Sequence, residues 1–187
     1  MSPRKQRQTV AAKALEKYCQ FALNRGASAA KIIDVRTVKT AQWVRLKCQY
    51  GCGGWASSLC CPPFTPGPEE TARVLEEYRR GMLLAYHFKG PASARKTTRR
   101  RRDFLVQLER MCFLDGHYKA FGYANGPCRL CASCDTTGTC LHPERARPAM
   151  EACGIDVFAT ARANGIDLEV VQDLEDKYTY CNLLLID

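Results

Sequence analysis

Cys128, Cys131, Cys134 and Cys140 stand in one short run, Cys-Arg-Leu-Cys-Ala-Ser-Cys-Asp-Thr-Thr-Gly-Thr-Cys, with His142 and Pro143 close behind. A two-residue gap between cysteines lets neighbouring thiolates meet adjacent iron corners of one compact cubane, while loop amides turn inward toward its sulfurs. Small and glycine residues between the ligands help that turn. The run therefore predicts a 4Fe-4S iron-sulfur cluster. Zinc is the alternative, but zinc sites more often pair two Cys-x-x-Cys units or join one to histidines, so three cysteines in a single run suit it less well.

A second concentration of sulfur lies upstream at Cys48, Cys52, Cys60 and Cys61, interleaved with Gly51, Gly53 and Gly54, which let a backbone wrap closely round a bulky inorganic object. Pro62 and Pro63 follow at once. A proline just after a ligand cysteine fixes the direction in which the chain leaves, and both cysteine-rich stretches in this respect resemble the cluster-binding runs of bacterial ferredoxins. Side chains of successive residues diverge, so Cys60 and Cys61 are not both expected to reach one cluster. Cys61, next to the prolines, is the expected ligand. Cys60 and His142 remain as additional candidates.

Composition bounds the answer. The chain has 187 residues, 46% of them hydrophobic, enough for a real core in one domain spanning 1–187. Its 12 cysteines fall below the density of small disulfide scaffolds, and no apolar stretch follows Met1-Ser2-Pro3-Arg4-Lys5 to act as a secretion signal. Reduced thiols, metal binding and a cytoplasmic location are the expectations. No run approaches the length of a membrane span. The formal net charge is +9, and Arg95, Lys96, Arg99, Arg100, Arg101 and Arg102 supply six positive charges within eight residues. One basic patch of this kind suits an acidic redox partner protein or a small anionic substrate. RNA is the minor alternative, because no aromatic residue interrupts the run to stack on a base.

Periodicity supplies the elements that must hold these sulfurs. An N-terminal helix within residues 1–27 is capped by Thr9, carries Ala11, Leu15, Tyr18 and Ala22 on one face, and stops at Gly26. Residues 31–38 and 42–47 alternate like strands, the second delivering Cys48. A helix over 69–80 has Glu69 and Glu70 in its first turn, where the helix dipole favours negative charge. Residues 82–88 form an apolar strand, and 99–114 a helix with Phe104, Leu105, Leu108, Met111 and Cys112 as its core stripe. Residues 119–124 lead as a strand into the cysteine run. Short helices follow at 145–153 and 156–164, the latter stopped by Gly165, and strands at 168–171 and 178–186 close the chain. Cys19, Cys112, Cys153 and Cys181 have no companion spacing and read as packed core thiols, and His87 as a packed histidine. The fold class this predicts is α+β, a single domain in which a mixed sheet packs against helices and two cysteine-rich loops, 48–63 and 128–143, carry the metal.

Several stretches resemble one family. Leu46-Lys47-Cys48 through Cys61-Pro62-Pro63-Phe64, Gly126-Pro127-Cys128-Arg129-Leu130-Cys131, Cys140-Leu141-His142-Pro143, Arg147-Pro148-Ala149-Met150-Glu151-Ala152 and Gly154-Ile155-Asp156-Val157-Phe158 are similar to the cysteine-rich predicted metal-binding proteins of bacteria and archaea. The resemblance runs from about residue 28 onward. It implies seven ligands, Cys48, Cys52, Cys61, Cys128, Cys131, Cys134 and Cys140, with Cys60 an addition of this sequence. It implies a metal cofactor more firmly than a reaction.

Seven cysteines can be wired in two ways. Either Cys128, Cys131, Cys134 and Cys140 hold one cluster while Cys48, Cys52 and Cys61 hold a second with one iron open, or Cys140 or Cys61 crosses over to the opposite cluster. Full ligation by protein leaves outer-sphere electron transfer or redox support of a partner enzyme. An open iron would make an enzyme of desulfidase or dehydratase type, since it can act as a Lewis acid. A zinc-stabilised interaction module is the third reading. No Ser/His/Asp set, phosphate-cradling loop or radical-generating cysteine motif points to other chemistry.

Overall fold

The computed structural model describes residues 3–90, 97–173 and 176–187, with side chains from residue 14 onward. Four strands form one sheet in the order β1 (Ala29–Asp34), β2 (Arg80–Lys89), β4 (Lys177–Leu185), β3 (Phe121–Tyr123). Around it lie five α-helices among the described residues: α1 (Pro3–Asn24), α2 (Gln42–Gly51), α3 (Pro68–Glu76), α4 (Thr98–Leu114) and α5 (Val157–Ala163). The class is α+β, as expected. The sheet is not mixed, however, because each neighbouring pair is antiparallel. The physical reason is an insertion. β2 and β3 run parallel, joined through α4, but β4 slots between them antiparallel to both.

The central strands explain their own composition. In β2, Met82, Leu84 and Tyr86 point to one face and Leu83 and Ala85 to the other, and all five are buried. A strand covered on both faces loses the polar alternation of a half-solvated one. Leu15, Tyr18, Cys19 and Ala22 of α1 and Leu105, Leu108 and Cys112 of α4 cover the first face. The second is filled by Ile33, Leu75, Tyr123, Met150, Cys153, Ile155 and Ala161 with Cys181, Leu183 and Leu185 of β4. Cys19, Cys112, Cys153 and Cys181 are thus core residues, and burial pushes their thiols up to about 11 or 12. His87 shares a hydrogen bond with the Thr179 hydroxyl at 2.9 Å.

Several boundaries differ from the periodicity. Helix α1 begins at Pro3, so Thr9 lies inside it rather than capping it, while Gly26 (φ +96°) ends it as expected. Residues 31–38 divide into the end of β1 and a 3-10 turn at Val35–Thr37. The 42–47 segment is helical. Its apparent alternation of Val44 and Leu46 misleads, because Val44 is buried whereas Leu46 is 57% exposed on the outer side of α2. Helix α3 stops at Glu76, β2 starts at Arg80, and β3 covers three residues. Of the 145–153 helix only a 3-10 turn at Glu151–Cys153 forms; the stretch before it makes a turn at 143–145 and is tied to α4 through Arg145 and Arg147. Residues 168–171 form no strand. Among the described residues no helix is long and apolar enough to cross a membrane.

Candidate metal centre

Cys48 lies in the last turn of α2 and Cys52 caps its C-terminus. Four residues make about one helical turn, so a helix stacks these two positions about one turn apart, where a strand would have put them on one face but roughly 13 Å apart. Helix α2 is itself pinned to the 3-10 turn beneath it. Arg45 donates to the carbonyl of Ala152 at 2.6 Å and to Thr65 Oγ1 at 3.1 Å, Thr65 Oγ1 donates to the same carbonyl at 2.6 Å, and Thr71 Oγ1 donates to the carbonyl of Cys153 at 2.7 Å.

After α2 the chain doubles back. Ala56, in the left-handed region at φ +55°, donates its N–H to the carbonyl of Pro62 at 2.7 Å. Buried Ser58 then organises the turn that bears the sulfurs: its Oγ accepts from the N–H of Cys60 at 3.1 Å and its carbonyl from the N–H of Cys61 at 2.8 Å. Of the three glycines, only Gly54 meets the sulfurs. Its N–H points to Cys52 Sγ at 3.4 Å, and a methyl group there would sit 3.4 Å from Cys52 Sγ and 3.8 Å from Cys61 Sγ. Gly51 and Gly53 face open space.

The 128–140 run has no regular structure and is held at its ends. At the front, Arg102 of α4 donates to the carbonyls of Gly126 (3.3 Å) and Pro127 (3.1 Å) and to that of Arg147 (2.6 Å). Behind it, Arg145 makes a forked ion pair with Asp103 at 2.8 and 3.0 Å, and Arg147 Nε donates to Glu109 at 2.8 Å. Within the run, Asp135 Oδ1 accepts from the N–H of Thr137 at 2.9 Å and from its hydroxyl at 2.7 Å, and the N–H of His142 points to Cys140 Sγ at 3.4 Å.

The two cysteine-rich segments meet. Cys52, Cys60, Cys128, Cys131, Cys134, Cys140 and His142 line one cavity of about 730 Å³, with Gly54 and Ser58 behind Cys60. Cys48, Cys52 and Cys61 border a neighbouring cavity of about 480 Å³, and Cys52, Gly54 and Pro127 belong to both walls. Cys60 and Cys61 therefore open into different cavities, as side chains of consecutive residues should. Among the described residues no three Cys, His, Asp or Glu side chains converge closely enough to hold a single metal ion. The donor set is soft and almost entirely thiol, which suits zinc or iron–sulfur clusters.

Electrostatics follows the same division. The neighbouring thiols of Cys60 and Cys128 act on each other, pulling Cys128 well below its ordinary value and pushing Cys60 up, with the Arg102 charge favouring thiolate at both. Burial and then the charges of Cys52 and Cys48 raise Cys61, and burial and then Cys52 raise Cys48. Thiolates gathered this closely disfavour one another until a cation joins them.

Sequence reasoning placed the cysteines but missed what fixes them. Arg101 and Arg102 are 4% and 2% exposed, so only Arg99 and Arg100 of the described basic run face solvent, and Arg95 and Lys96 lie outside the described residues. Arg101 lies over the rings of Phe88 and Tyr180, at 4.8 and 5.1 Å from their centroids. One signal did exist: Arg102, Leu105 and Leu108 fall on one face of the α4 stripe at helical spacing.

An antiparallel sheet with helices on both faces, holding eight thiols of two segments about two adjoining cavities, defines a cysteine-rich metal-binding domain. The chain belongs to the DUF2284 family, described as predicted metal-binding proteins, whose model matches residues 31–186. No curated protein and no solved structure matches it.

Proposed function

We propose that this chain is an iron–sulfur protein that passes electrons to or from a partner enzyme. In this reading Cys128, Cys131, Cys134 and Cys140 hold one 4Fe-4S cluster, and Cys48, Cys52 and Cys61 hold a second. The observation that carries it is the shared wall: two cysteine groups border two cavities that have Cys52, Gly54 and Pro127 in common. Cys52 lies in both walls, so the two sites adjoin and both the self-contained and the crossed wiring are within reach of these cysteines. Bound clusters would supply one-electron transfer at potentials set by ligand charge, burial and hydrogen bonds to sulfur. The chain's own part is to hold the thiols and tune them. Cys60 lowers the Cys128 thiol, Arg102 places positive charge near both, and the N–H groups of Gly54 and His142 point at Cys52 and Cys140. Exposed Arg99 and Arg100, one turn of helix or less before Arg102, offer an acidic partner a place to dock.

One observation favours a second reading. The Cys48, Cys52 and Cys61 group brings three thiols, not four, to the edge of an apolar cavity, which is the arrangement an enzyme with an open iron would need. Anaerobically purified protein tests both. Broad absorbance at about 400 nm is expected of a cluster, and a colourless zinc protein overturns both readings. Cyanide added to the reduced protein then separates them: a changed paramagnetic spectrum marks an accessible iron, and an unchanged one supports electron transfer alone.

A further inference from the structure

Between the end of α1 and the first turns of α4 lies a cavity of about 540 Å³ that shares no lining residue with the two cysteine-bearing ones. Arg25, Arg100 and Arg101 line it together with Tyr86 and Phe88 of β2. Neither the sheet nor the cysteine ligation calls for three arginines at one concavity. Arg101 is buried and lies over both rings, at 5.7 and 4.8 Å from their centroids, so stacking holds its guanidinium in place. Its N–H groups reach Thr97, Thr98 and Asn125, and what it offers the cavity is therefore charge. Burial disfavours that charge, a cost that an anion beside it would offset.

The rest of the wall points to the occupant. Its one carboxylate, Asp103, is taken by the forked pair with Arg145 at 2.8 and 3.0 Å. Among the described residues no carboxylate pairs with Arg25 or Arg100, and both are exposed. A concavity with three guanidinium groups and a single acid already neutralised draws in anions. A guanidinium forks two N–H groups onto phosphoryl oxygens, which makes arginine suited to that group in particular. The volume is that of a small-molecule pocket and well beyond what one phosphate fills, whereas a diphosphate spreads more charge over more oxygens. Tyr86 and Phe88 are engaged by Arg101, so recognition falls on the anionic group rather than on a ring.

We propose that this cavity binds a diphosphate group, free or carried on a small molecule, with Arg25 and Arg100 as forked donors and Arg101 as the buried charge. The binding does not depend on which metal the cysteines hold.

The test titrates inorganic pyrophosphate, ADP and inorganic phosphate into the metal-loaded chain by calorimetry at about 0.15 M salt, where diffuse attraction is largely screened. One-site binding of pyrophosphate is expected, about tenfold or more tighter than that of phosphate. Arg25→Gln and Arg100→Gln, both at exposed positions, should each weaken it about tenfold, the worth of one charged hydrogen bond. Arg99→Gln removes the same charge from a neighbour outside this wall and should weaken it less than about twofold. Binding of ADP as well assigns the site to a diphosphate carried on a larger molecule, and exclusion of ADP assigns it to the free anion. Absence of saturable binding, equal affinity for phosphate and pyrophosphate, or equal losses in Arg99→Gln and Arg100→Gln overturns the proposal. So does pyrophosphate binding undiminished in Arg25→Gln and Arg100→Gln, which would mean that the bound metal takes the anion. Iron and sulfide assayed on the same samples keep this outcome apart from that of the iron–sulfur reading.

Discussion

Arg102, 2% exposed near the start of α4, donates a hydrogen bond at 3.1 Å to the carbonyl of Pro127, the residue immediately before Cys128. A buried guanidinium thus anchors the entrance of the cysteine run to the helix that closes the core. The same side chain reaches the carbonyl of Arg147 beyond the run's far end, so one residue fixes both. Each hydrogen bond from a charged group to a carbonyl contributes about 1.5–3 kcal/mol. Arg102→Gln should therefore cost roughly 2–4 kcal/mol in stability and also lower metal retention. Arg102→Lys, which keeps the charge but loses the planar fork, should recover only part of either. Thermal unfolding and metal analysis of the three proteins check this.

Gly54 leaves a gap between Cys52 and Cys61 that a methyl group would fill at 3.4 and 3.8 Å from their sulfurs. Those distances are ordinary contacts, so Gly54→Ala should fold with a stability change of about 1 kcal/mol or less. It should nonetheless hold less metal, by occupying room the thiols need around a shared ion or cluster. Metal content per folded chain, with circular dichroism as the control, decides it.

Cys60 and Cys61 face different cavities, and their substitutions should differ in kind. Cys61→Ser should reduce metal content. Cys60→Ser should leave the content unchanged, because the 128–140 run already offers four thiols. Cys60→Ala removes the thiol that favours thiolate at Cys128 and should shift a cluster potential to more negative values, since a proton donor beside a ligand thiolate favours the reduced, more negative state. Redox titration of the three variants is the measurement.

Asp187, two residues past the end of β4, pairs with Arg80 at the start of β2. Its Oδ1 accepts from Arg80 Nε at 2.8 Å, and His117 Nδ1 lies 3.5 Å from Oδ2. Burial pushes its carboxyl up, but the hydrogen bonds and charge of Arg80 outweigh that and leave it below the ordinary carboxylate range. A depressed folded pKa means stability that is present above the unfolded value, about 3.9, and lost as pH falls through the lower folded one. Asp187→Asn should cost about 1–2 kcal/mol at neutral pH, given the pair's partial exposure. The gap between the two proteins should close as pH falls below about 4. Denaturant unfolding at pH 3 and pH 7 checks the sign.

The contrast between what the residues announce and what they hide has a physical pattern. The grouping of the cysteines was legible: Cys128, Cys131, Cys134 and Cys140 line one cavity, and Cys48, Cys52 and Cys61 border the next. Long apolar runs were legible too, since β2, β4 and the α4 stripe are buried wherever both neighbours are covered. Misreadings came where tertiary contacts overrode the local pattern. The 42–47 segment is a helix because Arg45 and Val44 pack toward the 151–153 turn, which no local window contains. Residues 145–150 do not continue as a helix, and Arg145 and Arg147 there pair with Asp103 and Glu109, some forty residues away. Arg101 and Arg102 looked like solvated charge, and their burial became visible only once aromatic rings and loop carbonyls were in place around them.

The most direct test of the central claim is the iron and acid-labile sulfide content of the anaerobically purified chain. About four of each per chain is expected with one cluster filled and about eight with both. Bound metal without acid-labile sulfide, or zinc in place of iron, would contradict the account.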